Sequence, residues 1–305
     1  MSRDQLPGRP FRGRDAHLYG VPSVESRAVA RVLRGVYVAT HVQVDIKVRA
    51  EALLLVAPAG AAVARHTAAA LWGGVVPYVA ELHLVIPDNR RMTRSGVVVH
   101  RSRNMTRVTA VGGLRLTDPI RTFLELGDLG LVDLVVLGDS LVRRTLVTPT
   151  ELIEAAREYR GPRAAMVRRA AGLVRSDVDS PMETRLRLLV VLAGLPEPRV
   201  NVLLRDASGR VAYRLDLGFE RWKVALEYDG RHHAVDGAQW RGDISRRADL
   251  DDWGWRSVVV ISDGIFTEPE RTLERVVAAL RHAGAAGVRM RSTEWRRHFP
   301  GRRAA

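Results

Sequence analysis

The chain has 305 residues, of which 46% are hydrophobic and 27% charged, and this composition indicates a globular protein of about two domains. Its formal net charge is +14, and nearly all of the positive charge comes from arginine, because only Lys47 and Lys223 are lysines. Arginine binds phosphate well, so the charge fits a nucleic-acid partner. A general bias of composition toward Arg, Ala, Gly and Val would give the same charge. The absence of cysteine excludes disulfides and thiolate zinc sites, and leaves metal binding to carboxylates and histidines.

No segment has the character of a membrane anchor or secretory signal. The first fifteen residues lack an apolar core. The longest uncharged run, residues 52–64, contains Pro58 and Gly60 and is too short to span a bilayer. We therefore expect a cytoplasmic protein with no membrane partner.

Residues 1–46 have the element order of a degenerate winged helix-turn-helix. A first helix is predicted to end at Gly20, and apolar residues at helical spacing predict a second helix over residues 24–33. GVYVAT then has the β-branched and aromatic residues of a strand.

Residues 47–174 are predicted to form a small mixed α/β domain. Helices are predicted over residues 47–63 and in HTAAALWGG, and strands in ELHLVIP, GVVVHRS and VGGLRLTDP. Three further helices follow. Thr117 or Asp118 is the candidate N-cap of one, which has Pro119 near its first turn, and Thr148-Pro149-Thr150-Glu151 opens another. The histidines of this region are far apart in sequence, which favours structural or surface roles: His66, His83 and His100.

Residues 175–288 contain the candidate catalytic and metal-binding residues, and this region is predicted to begin with a helix. Ser180 is a natural N-cap, Pro181 a natural first residue, and Glu183 occupies the third position of a capping box. Capping alone is therefore a sufficient explanation for Glu183.

Two strands with period-two alternation follow in VAYRLDLGF and RWKVALEYDG. The short connection at Glu220-Arg221 predicts an antiparallel hairpin in which Asp216 lies opposite about residue 225 and diagonal to Glu227. Two acids on one face repel each other unless a cation neutralises them, and oxygen ligands suit Mg²⁺ or Mn²⁺. Either acid by itself would more often be an ordinary solvent-facing residue.

Beyond the hairpin, Asp229 and the loop residue His233 add a third acid and a general acid or base. A polar helix over residues 238–252 follows, and three of its arginines are candidate phosphate contacts: Arg241, Arg246 and Arg247. A buried strand is predicted at residues 256–261, and the basic tail, residues 289–305, is predicted to fray.

The ordered elements Ser180-Pro181-x-Glu183, Arg214-x-Asp216, Glu227-x-Asp229-Gly230-x-x-His233, Asp243-x-x-Arg246-Arg247 and Gly254-Trp255 resemble Vsr-like endonuclease domains of the PD-(D/E)XK superfamily. The resemblance covers about a third of the chain. It implies a restriction-endonuclease-like mixed-sheet core, with Asp216 and Glu227 as ligands of Mg²⁺ or Mn²⁺ and Asp229 as a further acid. It also implies that Glu183 supports the metal and that His233 stands where the superfamily has lysine. The sequence departs from the family pattern in one respect: the motif position after Glu227 that usually holds a lysine holds Asp229, so this cationic helper is missing and Lys223, on the same strand face, is the candidate substitute. Because the chain has no cysteine for the zinc site of mismatch-repair members, mismatch-specific repair is not implied.

In the first half, FRGRDAHLYG, RGVYV, RHTAAALWG, ELHLVIP, VVVHRS and PIRTFLEL resemble AbiEi-family antitoxins. That resemblance implies a winged helix-turn-helix before a mixed α/β domain, and binding to promoter DNA.

The predicted fold class is therefore α+β, and the leading functional hypothesis is a Mg²⁺-dependent DNA endonuclease with a DNA-binding, antitoxin-like N-terminal module. In it, Asp216 and Glu227 hold the ion, which positions the phosphodiester, and His233 or a metal-activated water delivers the attack. The alternative is a catalytically inactive, DNA-binding regulator, the antitoxin of a toxin–antitoxin pair with a cognate toxin as partner. RNA is a third, weaker substrate hypothesis, because the sequence lacks an aromatic-rich strand for stacking bases.

Overall fold

The structure is a computed structural model that describes residues 6, 8–21, 24, 27–230 and 237–301; of residues 237–244 it describes the backbone alone. The chain divides into two compact units, Met1–Gly172 and Leu173–Ala305. The first unit contains both regions that were predicted as residues 1–46 and 47–174, and the second begins close to the predicted boundary at residue 175.

The first unit contains two sheets and six helices among its described residues. Its strands are β1 (Phe11–Arg12), β2 (Val29–Leu33), β3 (Val36–Ala39), β4 (Ala62–Val63), β5 (Leu82–Pro87), β6 (Val97–Ser102), β7 (Val108–Val111) and β8 (Leu114–Thr117). Its helices are α1 (Ile46–Val56), α2 (Arg65–Leu71), α3 (Pro119–Glu125), α4 (Leu131–Arg143), α5 (Pro149–Glu158) and α6 (Ala164–Leu173), the last of which ends at the unit boundary.

The second unit has one described sheet, of four strands. Its elements are α7 (Pro181–Leu192), β9 (Arg199–Arg205), β10 (Val211–Phe219), β11 (Val224–Tyr228), α8 (Gly237–Asp252), β12 (Arg256–Val260), α9 (Ser262–Phe266), α10 (Pro269–His282) and α11 (Trp295–His298).

The helix predicted over residues 24–33 is wrong, because Val29–Leu33 is a strand that pairs with β3 in a hairpin. Gly35 makes the tight turn possible with a positive φ of 77°. β1 pairs with the other side of β3, so a three-stranded sheet stands where the second helix of a helix-turn-helix was expected. Between β1 and β2, residues Gly13–Tyr19 form a 3-10 helix that ends at Gly20, as the sequence predicts for the end of that segment.

A five-stranded mixed sheet with the order β6-β5-β4-β8-β7 forms the centre of the first unit. The helix predicted over residues 47–63 ends at Val56, and Ala62–Val63 forms the middle strand instead. Pro58 cannot continue the helix, and Gly60, with a φ of +84°, turns the chain back into the sheet. Three other predicted helix starts are confirmed: Asp118 caps α3, Thr148 and Glu151 form a capping box on α5, and Ser180 caps α7.

The second unit is built on the order β12-β11-β10-β9, with β11 and β12 parallel and the other pairs antiparallel. The predicted hairpin, polar helix and buried strand are present as β10–β11, α8 and β12. The edge strand β9 was not predicted, because RVNVLLR has no clean alternation of apolar and polar residues.

The tail does not fray over residues 289–301. The backbone amides of Arg291 and Ser292 both donate to the carbonyl of Ala193 at the end of α7. Trp295, on α11, is only 3% exposed, and Phe299 is also buried. The prediction failed because the many arginines of this segment obscured two large apolar anchors.

The fold is therefore α+β, as predicted. Within the described ranges, no helix combines the length and apolar character needed to cross a bilayer.

Candidate functional site

The hairpin of β10 and β11 brings Asp216 and Glu227 side by side. The pairs Leu217↔Leu226 and Gly218↔Ala225 extend in register to place Asp216 level with Glu227. The predicted partner of Asp216, about residue 225, was two residues too early because Trp222 belongs to a 3-10 turn, Glu220–Trp222, and Lys223 follows it in the left-handed conformation. Because the connection has four residues, the two acids lie directly opposite each other and not diagonally, as was predicted for a shorter turn.

Both acids are held in a partly buried, polar environment. Asp216 Oδ2 accepts a hydrogen bond of 2.9 Å from the backbone amide of Tyr228. Ser257 Oγ on β12 donates to Glu227 Oε1 at 3.3 Å. Burial raises the pKa of Asp216 above its ordinary value, against the opposing effects of the Tyr228 amide and the Arg246 charge. Burial also raises the pKa of Glu227, and the Asp216 charge adds to that rise while Arg246 opposes it.

Glu183 approaches the same acids from the first turn of α7. Its side chain is 6% exposed, and its carboxylate accepts a hydrogen bond of 3.0 Å from the backbone amide of Asp179. Its own amide donates to Ser180 Oγ, so Ser180 is the residue that caps α7. Burial raises the pKa of Glu183, and the charges of Asp216 and Asp179 contribute to the rise. The Glu183 carboxylate thus binds the amide of the residue before the cap, and Glu183 belongs electrostatically to the acid cluster.

Asp216, Glu227 and Asp229 line one cleft of about 380 Å³ at the end of β11. Asp229 follows the strand directly, and its amide donates to the carbonyl of Val260 on β12 at 2.9 Å. The three predicted acids of the hairpin therefore face a common space, with Ser257 and Val259 on its β12 side.

Arg246 enters this cleft from α8. Its Nη2 contacts Glu227 Oε2 at 2.5 Å and also donates to the carbonyl oxygen of Arg214 at 3.1 Å. Its guanidinium carbon lies 5.8 Å from the centroid of the Tyr213 ring. Arg246 was predicted to be a phosphate contact, and its ion pair with Glu227 was not predicted. Helical spacing could have indicated it, because Arg246 lies one turn before Leu250 on α8, and Leu250 is buried in the core cluster of the sheet.

The other predicted phosphate contacts are placed differently. Arg247 is exposed and lines the cleft, so it is accessible to a ligand there. The backbone of Arg241 lies within α8, while its side chain lies outside the described residues. His233, the predicted general acid or base, also lies outside them.

Lys223 does not substitute for the missing superfamily lysine. It lies at the opposite end of β11 from Glu227, where its Nζ donates to the carbonyl of Trp253 at 2.8 Å. The described cations that line the cleft are Arg246 and Arg247.

A bound Mg²⁺ is implied by the family resemblance, and the donor set can be tested against it. Among the described side chains, no group of three or more histidines and acids is placed to hold a metal ion. Mg²⁺ keeps several waters in proteins and commonly uses one or two carboxylates. Asp216 and Glu227 fit such a two-carboxylate site, provided that Glu227 Oε2 exchanges its contact with Arg246.

The first unit contains a second cluster of titratable groups, which the sequence did not reveal. The rings of His66 and His83 have centroids 4.9 Å apart, and His83 Nδ1 lies 3.1 Å from His100 Nε2. Burial and the neighbouring His66 lower the pKa of His83 to about 4, and burial and Arg65 lower that of His100 to about 4. The three histidines are therefore neutral rings packed against one another at neutral pH, which is consistent with a structural role.

Acid is expected to destabilise the first unit through this cluster. Since the pKa of His83 falls from about 6.5 in the unfolded chain to about 4 in the fold, its contribution is complete above pH 6.5 and is lost as the pH falls toward 4. The expected loss by pH 4 is about 3 kcal/mol for one such histidine. Native-state hydrogen exchange at the amides of β5, corrected for intrinsic rates, measures it.

His83→Phe should flatten this dependence, whereas His282→Gln, at an exposed histidine of α10, should leave it unchanged. An equal pH dependence in wild type and His83→Phe would show that the cluster does not control the acid response.

No family model matches the chain. Two curated proteins of Mycobacterium tuberculosis are similar to it: Uncharacterized protein MT2308 of strain CDC 1551 / Oshkosh and Uncharacterized protein Rv2248 of strain ATCC 25618 / H37Rv. Each is 28% identical over 266 residues, which cover 87% of this chain and 97% of the relative. An alignment of that length includes residues of both compact units. The relatives' names describe no activity, so the site geometry alone guides the functional proposal.

Proposed function

We propose that the second unit is a divalent-cation-dependent phosphodiesterase that cleaves DNA. The observation that carries the proposal is the direct juxtaposition of Asp216 and Glu227 in a polar cleft that also presents Arg246 and Arg247. Paired carboxylates suit a hard cation, and arginines suit phosphate oxygens, so the two halves of a metal–phosphodiester recognition site lie together.

Asp216 and Glu227 would hold the ion, with Asp216 fixed by the Tyr228 amide and Glu227 by Ser257. When bound, Mg²⁺ supplies neutralisation of phosphodiester charge and makes water a stronger nucleophile. Glu183, close to Asp216 in α7, adds negative charge that favours a cation at the pair. Arg247 would contact a phosphate at the open side of the cleft. Proton transfer by His233 remains a prediction from the sequence.

Incubation of the full chain with supercoiled plasmid tests the proposal. We expect nicked plasmid with Mg²⁺ or Mn²⁺ and intact plasmid with EDTA. Plasmid that stays supercoiled over a range of divalent cations and pH values, with protein shown to be folded, would contradict it.

A second candidate function is a DNA-binding regulator without nuclease activity, with a toxin protein as its further partner. The ion pair between Arg246 and Glu227 favours it, because a resident arginine already neutralises one of the two proposed ligands. In that case the chain should bind DNA equally with Mg²⁺ and with EDTA, and should release no cleaved product. The proposed nuclease should instead bind DNA more tightly when a non-catalytic cation such as Ca²⁺ is present.

A further inference from the structure

Arg246 is held among the acids of the cleft by three different contacts. Its guanidinium pairs with Glu227, donates to the carbonyl of Arg214 on β10, and lies near the ring of Tyr213. About a third of its side chain, 34%, stays exposed, whereas that of Glu227 is 17% exposed. The arginine is therefore the more accessible partner of the ion pair, and the acid is the more buried one.

The platform beneath Arg246 is anchored independently of the ion pair. Leu250, one turn further along α8, is buried against the sheet, with Trp253 packed on the same cluster. Tyr213 OH donates to Asp249 Oδ2, which ties α8 to β10 a second time. These contacts hold α8 against the sheet without any contribution from Arg246, so the helix does not depend on the ion pair for its position.

We propose that Arg246 acts as the resident counter-ion of the Asp216–Glu227 pair and transfers to a phosphate oxygen of the DNA backbone when a divalent cation binds the pair. This inference rests on the proposed function of the site. It assigns Arg246 two successive partners, a carboxylate in the metal-free protein and a phosphate in the loaded complex.

The balance of charge supports the exchange. When both acids are ionised, Asp216, Glu227 and the Arg246 guanidinium together carry a net charge of about −1, and a divalent cation bound with the arginine in place would bring this group to about +1. If the arginine turns outward, the cation and the two acids balance, and the guanidinium is free to bind a phosphate oxygen with two parallel hydrogen bonds. The same ion pair that protects the metal-free site would then compete with the metal.

Titration calorimetry with Mn²⁺ on the full chain, without DNA, tests the competition. Arg246→Met removes the competing charge while keeping an apolar side chain of similar length on Tyr213. We expect it to bind Mn²⁺ about tenfold more tightly than wild type. Arg247→Met removes the neighbouring cleft arginine, for which no hydrogen bond to either acid is found among the described contacts, and should change the affinity much less. Arg246→Gln repeats the test with a polar side chain, and thermal unfolding verifies that each variant is folded.

The transfer of Arg246 to phosphate is tested by measuring the affinity for duplex DNA in Ca²⁺ and in EDTA. Wild type should gain affinity for a duplex when Ca²⁺ is added, and Arg246→Met should lose most of that gain. Mn²⁺ affinity that is equal or lower in both Arg246 variants would overturn the exchange while leaving the metal site of the proposed function intact. Absence of Mn²⁺ binding in wild type and in all variants would overturn both, and an undiminished Ca²⁺-dependent gain in Arg246→Met would overturn the transfer to phosphate.

Discussion

Asp216→Asn is expected to lower plasmid cleavage by about 10³-fold, or roughly 4 kcal/mol of transition-state stabilisation. Asparagine keeps the size of the side chain and an oxygen for the Tyr228 amide, but it removes the charge that attracts the cation. Initial rates of nicking at saturating Mg²⁺ measure the effect. Glu227→Gln should give a loss of similar size, because the two acids are proposed to share one ion.

The matched control for this prediction is Asp251→Asn, which changes an exposed acid of α8 by the same chemistry and should leave the rate within about twofold of wild type. A cleavage rate in Asp216→Asn equal to that of the control would contradict the assignment of the metal site.

Stability should respond to Asp216→Asn in the opposite direction from activity. Burial raises the pKa of Asp216, so the ionised carboxylate costs folding free energy at pH 7 and that cost disappears as the pH falls through its folded pKa. In the absence of metal at pH 7, the second unit of Asp216→Asn should therefore have a free energy of unfolding at least as large as that of wild type. A functional acid kept at the expense of stability is the pattern expected of a ligand site.

Trp295→Ala is expected to destabilise the second unit by about 3–5 kcal/mol. The indole is 3% exposed at the start of α11, which packs against α7. Removal of the ring leaves a cavity beside the helix that carries Glu183. The free energy of unfolding, obtained from urea unfolding monitored by probes in the second unit, measures the change.

Arg297→Ala, two residues further along the same short helix and exposed, provides the control and should change stability by less than about 0.5 kcal/mol. Equal, small effects of both substitutions would mean that the basic segment is the loosely held tail predicted from its composition.

Local signals in the sequence predicted those elements that short-range chemistry determines. Asp118, Thr148 and Ser180 cap helices because an oxygen side chain precedes a proline and a free backbone amide follows. The hairpin of β10 and β11 follows from clean alternation. In contrast, Val29–Leu33 has helical spacing of apolar residues and still forms a strand, since Gly35 allows a turn that pairs it with β3. Long-range pairing decided that element, and a single-sequence pattern does not contain it.

The same distinction applies to the candidate site. The sequence predicted that Asp216, Glu227 and Asp229 converge, and they line one cleft. The register of the hairpin differed by two residues from the predicted one, because the 3-10 turn and Lys223 lengthen the connection. The partnership of Arg246 with Glu227 joins residues nineteen positions apart on different elements, and the histidine cluster joins one helix and two strands of the first unit. Such contacts depend on how elements pack and not on local spacing.

Crystals of the full chain soaked in Mn²⁺ and measured at the manganese absorption edge show whether Asp216 and Glu227 share one metal ion. We expect an anomalous difference peak between the two carboxylates, with the Arg246 guanidinium displaced from Glu227. A map with fully ordered Asp216 and Glu227, the Arg246–Glu227 ion pair intact and no peak at millimolar Mn²⁺ would contradict it.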